Sequence, residues 1–218
     1  VNGKKESMEK IFPLAKKYGG VIVALTLDEK GIPETAEGRV EIARKILNEA
    51  KKYGIKKKDI VFDTLAMTVS ADKNAANVTL DAMRRIKSEL GCKTSLGVSN
   101  VSFGLPNREA LNSVFFSLAL GSGLDAAIMN PYSAEMMKTY YTYKALSGQD
   151  ENFDEYIKVA ESFSAVEAAD KKEKSREVSA SDLQTAIIKG LKDKAGEITK
   201  ELLCSADGLE LVNKEIIP

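Results

Sequence analysis

Ser99, Asn100 and Ser102 form a compact polar cluster directly after the short apolar run Thr94–Val98, and Leu105-Pro106-Asn107-Arg108-Glu109 completes the segment Gly97–Glu109. A strand that closes on Ser-Asn-x-Ser presents hydrogen-bonding groups at its carboxyl end, which is where (β/α) barrels do their chemistry. Asp28, Asp63, Asn100 and Asn130 each end such a run. Amide, hydroxyl and carboxylate groups would therefore converge on one side of a parallel sheet. This spacing says where a ligand binds and leaves open which ligand. Asp63, in an Asp-Thr pair, reads equally as a helix cap or a loop hydrogen bond, and Arg108 as a first-turn helix residue paired with Glu109 or solvent. Histidine is absent, which removes the commonest general base, histidine-dependent triads and most catalytic zinc sites. Cys92 and Cys204 lie far apart without metal-ligand spacing, so no metal is expected and both read as packing or exposed thiols.

The elements that position these groups are legible as alternating helical and apolar stretches. Ser7–Tyr18 has helical spacing and stops at Gly19-Gly20, after which Val21–Leu27 is a continuous β-branched run of the kind buried on both faces. Thr35–Tyr53 reads as a helix closed by Gly54, and Ile60–Phe62 as a strand closing on Asp63. Asn77–Leu90 is helical, Thr94–Val98 a strand, Arg108–Leu120 helical and Asp125–Met129 a last strand. Four successive strand–helix units predict an α/β fold with a parallel sheet. A (β/α)8 barrel needs eight such units, so four units read as the carboxyl-terminal half of a barrel or as a smaller sheet. The opening Val1–Ser7 reads as a loop with no strand of its own.

At 218 residues the chain can bury a substantial core. Lys+Arg and Asp+Glu both total 32, so electrostatics gives no support to nucleic-acid or membrane-surface binding. No apolar run approaches the length of a membrane span, the start lacks a signal-peptide pattern, and the two cysteines fit a reducing cytoplasm. Residues 1–147 read as the barrel half and 148–178 as a helical and charged linker, with a helix over Tyr156–Ala169 and a solvated charge run over Ala168–Ser175. Residues 179–218 read as a separate helical unit, its second helix starting near Ala206. Two helices cannot close a core alone, so this tail is expected to pack on something else.

GVSNVSFGLPNREALNSVFFSLALGSGLDAAIMNP resembles the end of the pterin-binding barrel of cobalamin-dependent methionine synthases. It is similar also to the methyltetrahydrofolate:corrinoid methyltransferases and, more distantly, to dihydropteroate synthases. VIVALTLDEKG and DIVFDTLAM resemble the two preceding strands, and LQTAIIKGLKDKAGEITKELL with LELVNKEIIP resembles the first helices of the cap before the cobalamin domain. The resemblance implies a methyltransferase acting on methyltetrahydrofolate as substrate and passing its N5-methyl group to cobalamin, in methionine synthesis from homocysteine. It implies that Asp63 accepts hydrogen bonds from the pterin edge. Asn100 would approach N5, where a poor leaving group needs proton or hydrogen-bond donation. Arg108 would shape the pocket, Asn130 would contribute more weakly, and Ser99 would join a network that brings the proton Asn100 cannot supply.

Against the family pattern, no segment before Val1 matches the first-half strands that supply a further Asp and Asn, and the cobalamin domain's Asp-x-His-x-x-Gly loop is missing. The expectation is therefore a fragment with half a folate site, inactive alone, whose cobalamin sits on another domain and whose exposed sheet edges favour self-association. Three competing readings are a stand-alone methyltetrahydrofolate:corrinoid methyltransferase, a pteroate-forming synthase, poorly matched by Asn130-Pro131-Tyr132, and a non-catalytic docking module between folate and cobalamin domains.

Overall fold

The computed structural model describes residues 1–160, 183, 184, 186, 187, 192–204 and 207–213. They belong to two compact units, Val1–Phe163 and Ser164–Pro218. The first unit is built on four parallel strands, β1 (Ile22–Leu25), β2 (Ile60–Asp63), β3 (Lys93–Gly97) and β4 (Ala126–Ile128), in spatial order β1-β2-β3-β4. The helices α1 (Lys5–Tyr18), α2 (Ala36–Lys52), α3 (Ala75–Arg85), α4 (Arg108–Gly121) and α5 (Ala134–Leu146) alternate with them. This is the α/β arrangement expected of consecutive units of a (β/α)8 barrel.

The register explains which side chains face the helices. Ala24 pairs with Phe62 and Leu25 with Asp63, and Phe62 then pairs with Thr94 and Asp63 with Ser95. Ile22, Ala24, Ile60 and Phe62 are buried in one cluster with Met8, Phe12, Val40 and Ile46 from α1 and α2. Leu96 joins a second cluster with Met83 of α3 and Phe116 of α4. Because side chains alternate across a strand, Val23, Val61, Asp63, Ser95 and Gly97 take the opposite face.

That opposite face corrects the reading of Val21–Leu27 as buried on both sides, since Val21 is 65% and Val23 45% exposed. Among the described residues, helices pack on one face of the sheet. Val1–Ser7 forms no strand, as expected, but its start is bonded to the end of β1. Asn2 forms a parallel bridge with Leu25, the Leu25 amide donates to the Val1 carbonyl at 2.8 Å and the Gly3 amide to the Leu27 carbonyl at 2.7 Å.

Two further boundaries differ. The strand expected over Thr94–Val98 ends at Gly97, and Val98–Ser102 coils into a 3-10 turn. The helix expected over Asn77–Leu90 is α-helical only to Arg85, continues as a π turn through Leu90 and closes on Gly91 at φ 58°, a left-handed position that suits glycine.

Beyond α5, Glu151–Phe153 is a 3-10 turn and residues 154–160 are helical. The remainder of the expected Tyr156–Ala169 helix and the Ala168–Ser175 charge run lie outside the described residues. In the second unit, Lys192–Leu202 and Gly208–Leu211 are helical, and Leu183, Ala186 and Ile198 form a buried cluster of their own with Ala195 and Leu202 against it.

Candidate functional site

Asp63 ends β2 on the helix-free face and is 7% exposed. Its Oδ1 accepts a hydrogen bond from the Leu65 amide at 2.8 Å, and Oδ2 takes none among the described residues. Burial pushes the Asp63 carboxyl above the ordinary carboxylate range, and the Leu65 amide pulls it partly back. The backbone around it is fixed from β1, because the Thr26 amide and hydroxyl both donate to the Asp63 carbonyl, at 3.2 and 3.1 Å. Ser95, its register partner on β3, carries a buried hydroxyl without a hydrogen-bond partner among the described residues. A half-satisfied carboxylate and an orphaned hydroxyl thus lie side by side at the strand ends. Buried polar groups are usually satisfied, and a ligand edge with donors would satisfy both.

Asn100 and Ser99 sit on the 3-10 turn that follows β3, and both are exposed. A Cβ built on Gly97 would lie 3.3 Å from Asn100 Nδ2, so the amide folds back over the end of β3 and a side chain at residue 97 would crowd it. Ser102 is buried and its hydroxyl is within reach of the Ser99 carbonyl at 3.2 Å and of Asn112 Oδ1 at 2.7 Å. Arg108 donates from Nε to Ser102 Oγ at 3.0 Å and from Nη2 to the Ser99 carbonyl at 2.8 Å, with its guanidinium 5.9 Å from the centre of the Phe103 ring. These contacts commit Arg108 to holding the shape of the turn that carries Asn100.

The loop after Asp63 and the turn after β3 are stitched together. The Val69 amide donates to the Val101 carbonyl at 3.0 Å, and the hydroxyls of Thr68 and Ser70 both donate to the Phe103 carbonyl, at 2.7 and 3.0 Å. Asp63 and Asn100 are brought to one end of the sheet by this cross-loop bonding as well as by the strands themselves. Sequence reading missed Thr68, Ser70 and Ser95. Thr68 and Ser70 bond a carbonyl, which carries no residue signature.

Asn130 and Asp28 stand apart from this arrangement. Asn130 Oδ1 accepts from the Tyr132 amide at 3.0 Å in the turn leading into α5, and Asp28 Oδ1 accepts from the Lys30 amide at 2.9 Å. Asp125, just ahead of β4, receives Lys87 at 2.7 Å, Lys93 at 2.9 Å and the Thr94 amide at 2.9 Å. Burial opposes its ionisation, but those three donors outweigh it and hold the carboxyl below its ordinary range. Asp125 thereby locks β4 to β3. Among the described residues no group of histidine, cysteine or acidic side chains has metal-site geometry, and no helix is long and apolar enough to cross a membrane.

A family model described as pterin binding enzyme matches residues 1–130. The chain is similar to a methylcorrinoid:tetrahydrofolate methyltransferase of Eubacterium limosum, 32% identical over 163 residues that cover 72% of this chain and 59% of that protein. It is similar to the methionine synthase of Mycobacterium tuberculosis, 35% identical over 137 residues, 59% of this chain and 12% of that protein. The methionine synthase of Mycobacterium leprae is 36% identical over the same length, 11% of its own chain. The matched stretch is thus less than two thirds of each of these relatives.

Proposed function

The chain belongs to the pterin-binding enzyme family, and on that premise we propose that it carries one side of a methyltetrahydrofolate site in a methyltransferase whose methyl acceptor is a corrinoid. The observation that carries this reading is the buried Asp63 carboxylate, which has one oxygen tied to the Leu65 amide and the other left for a ligand. A pterin edge offers an amide N–H beside an amino group, and a carboxylate is the side chain that accepts from both. Asn100, on the adjoining turn, supplies an amide N–H toward N5.

In the proposed reaction the N5–methyl bond breaks, its electron pair stays on N5, and N5 gains a proton as the methyl group passes to the nucleophilic acceptor. Asn100 stabilises the developing charge on N5 by hydrogen bonding. Ser99, exposed beside it, offers a hydroxyl through which a solvent proton reaches that edge. Arg108 acts through the turn it braces, and Asn130 takes the outer rim. A corrinoid does not fit this chain as a resident group through an imidazole ligand, since the sequence holds no histidine. It is assigned to a separate cobalamin-binding domain, with Lys192–Leu202 and Gly208–Leu211 as the start of a helical cap for it.

The acceptor pathway we favour is methionine synthesis from homocysteine. A second reading, a stand-alone methyltransferase serving a separate corrinoid protein, is favoured by the longer coverage of the Eubacterium limosum relative, 72% of the chain against 59% for the mycobacterial ones. Titration calorimetry with methyltetrahydrofolate tests the shared core of both, run on this chain and on a protein that supplies the complementary strands. Heat of binding is expected at least in the second case, and its absence from both overturns the reading.

The exposed sheet also bears on association. All three residues of β4 are exposed, as are Val21 and Val23 of the helix-free face, and an uncovered strand edge is a template for pairing. We expect this 218-residue chain to self-associate at micromolar concentration, and a single monomeric species in sedimentation velocity would refute that.

A further inference from the structure

We propose that Arg39 is a positioning residue for the ligand-reading carboxylate: it holds the chain after Asp63 in a left-handed turn that aims the Leu65 amide at Asp63. Arg39 lies in the first turns of α2 and is 2% exposed. Its hydrogen-bond partners among the described residues are all neutral. Nε donates to the Pro33 carbonyl at 3.0 Å, and Nη1 to the Thr64 carbonyl at 2.7 Å, the Leu65 carbonyl at 2.9 Å and Thr79 Oγ1 at 3.1 Å. None of the ion pairs among the described residues includes it. A guanidinium buried without an anion is costly unless its donors are satisfied, and an apolar side chain of similar length would fill the same volume without that penalty. Burial accordingly pulls the Arg39 pKa down.

What the guanidinium does is geometric. Leu65 has φ 61°, a left-handed conformation that a leucine adopts only when its surroundings impose it. The two carbonyls flanking that conformation, Thr64 and Leu65, are both gripped by one nitrogen of Arg39. Thr79 Oγ1 of α3 lies 3.2 Å from the Leu65 carbonyl and 3.1 Å from the same Arg39 nitrogen, so the three groups close one hydrogen-bonded cluster. Without the grip the chain relaxes toward negative φ, and the Leu65 amide turns away from Asp63 Oδ1. The carboxylate then loses its internal donor. Through Pro33, Arg39 also ties the loop ahead of α2 to the loop after β2, so two successive strand-end loops share one buried cation.

The functional part of this inference rests on Asp63 reading the pterin; the structural part is tested without any folate. In isotopically labelled chain, Arg39→Lys keeps the positive charge and loses the fork. The Asp63 carboxyl is then expected to titrate at higher pH, and the Leu65 amide to exchange with solvent about tenfold faster or more, as its hydrogen bond opens. Adding Leu65→Gly, which adopts the left-handed turn without strain, is expected to return both readouts toward those of the unsubstituted chain. Unchanged titration and exchange in Arg39→Lys overturn the proposal. If Arg39→Lys alone does not fold, the double variant decides: it is expected to fold with a normal Asp63 titration, and a double variant no better than the single one overturns the proposal equally. Failure of folate binding would instead overturn the reading of Asp63 and leave this result standing.

Discussion

Asp63→Asn is expected to lower the affinity for methyltetrahydrofolate on the order of a hundredfold, the loss of two charge-assisted hydrogen bonds, while the protein keeps or gains stability. An amide has a single oxygen, which stays on the Leu65 amide, so an NH2 group faces the two pterin donors: both charge-assisted contacts are lost and donor meets donor. The opposite effect on stability follows from the environment of the carboxyl. Burial raises its folded-state pKa above the unfolded value, against the partial pull of the Leu65 amide. The folded state therefore holds the proton more firmly than the unfolded one. Stability from this group is fully present below the unfolded pKa and is lost as pH rises through the folded pKa. Asparagine has no such dependence, so the gain in melting temperature of the variant is expected to widen from pH 4 toward neutrality. Calorimetric titration of the protein with a complete site, together with melting curves across that range, checks both halves. Unchanged affinity removes Asp63 from the site, and a variant that melts lower at neutral pH shows the carboxylate to be structural.

The parallel order of strands and helices was legible because strands in such a sheet read as short β-branched runs between amphipathic helices. Val23 shows the limit of that signal: a continuous apolar run is identical whether its second face is covered or open, and here helices pack only on the face of Ile22 and Ala24. Asp63 and Asn100 were visible as polar residues at the ends of such runs. Arg39 was not, because a charged residue within a helix reads as solvated, and its partners, apart from Thr79, are backbone carbonyls that leave no trace in composition or spacing. The bonds of Arg108 to the Ser99 carbonyl and the Ser102 hydroxyl were likewise not legible, its expected role in shaping the pocket having come from family resemblance. The turn itself was only partly visible, since Val98 keeps the alternation of Leu96 whereas Asn100 and Val101 break it without saying what replaces the strand.

Asn100→Ala is expected to lower kcat for methyl transfer by roughly two to three orders of magnitude, the usual loss on removing a hydrogen bond aimed at developing charge, with a much smaller change in KM for the folate. The asymmetry follows from where the charge arises. In the bound ground state N5 is a tertiary amine that gains little from an amide donor, whereas at the transition state the departing methyl group leaves an electron pair there. A group bonded to N5 therefore binds the transition state more tightly than the substrate. Asn100 is exposed and its amide overlies Gly97, so truncation removes little packing and the variant is expected to melt with the parent. Because asparagine does not titrate, the pH dependence of the residual activity should keep its shape. A shifted profile would mean that Asn100 instead tunes an ionising neighbour. Gly97→Ala gives the complementary test: its Cβ would meet the Asn100 amide at 3.3 Å and displace the donor without deleting it. A loss of kcat in both variants at constant folate affinity locates the effect in the position of that one N–H group, and full activity in Asn100→Ala excludes it.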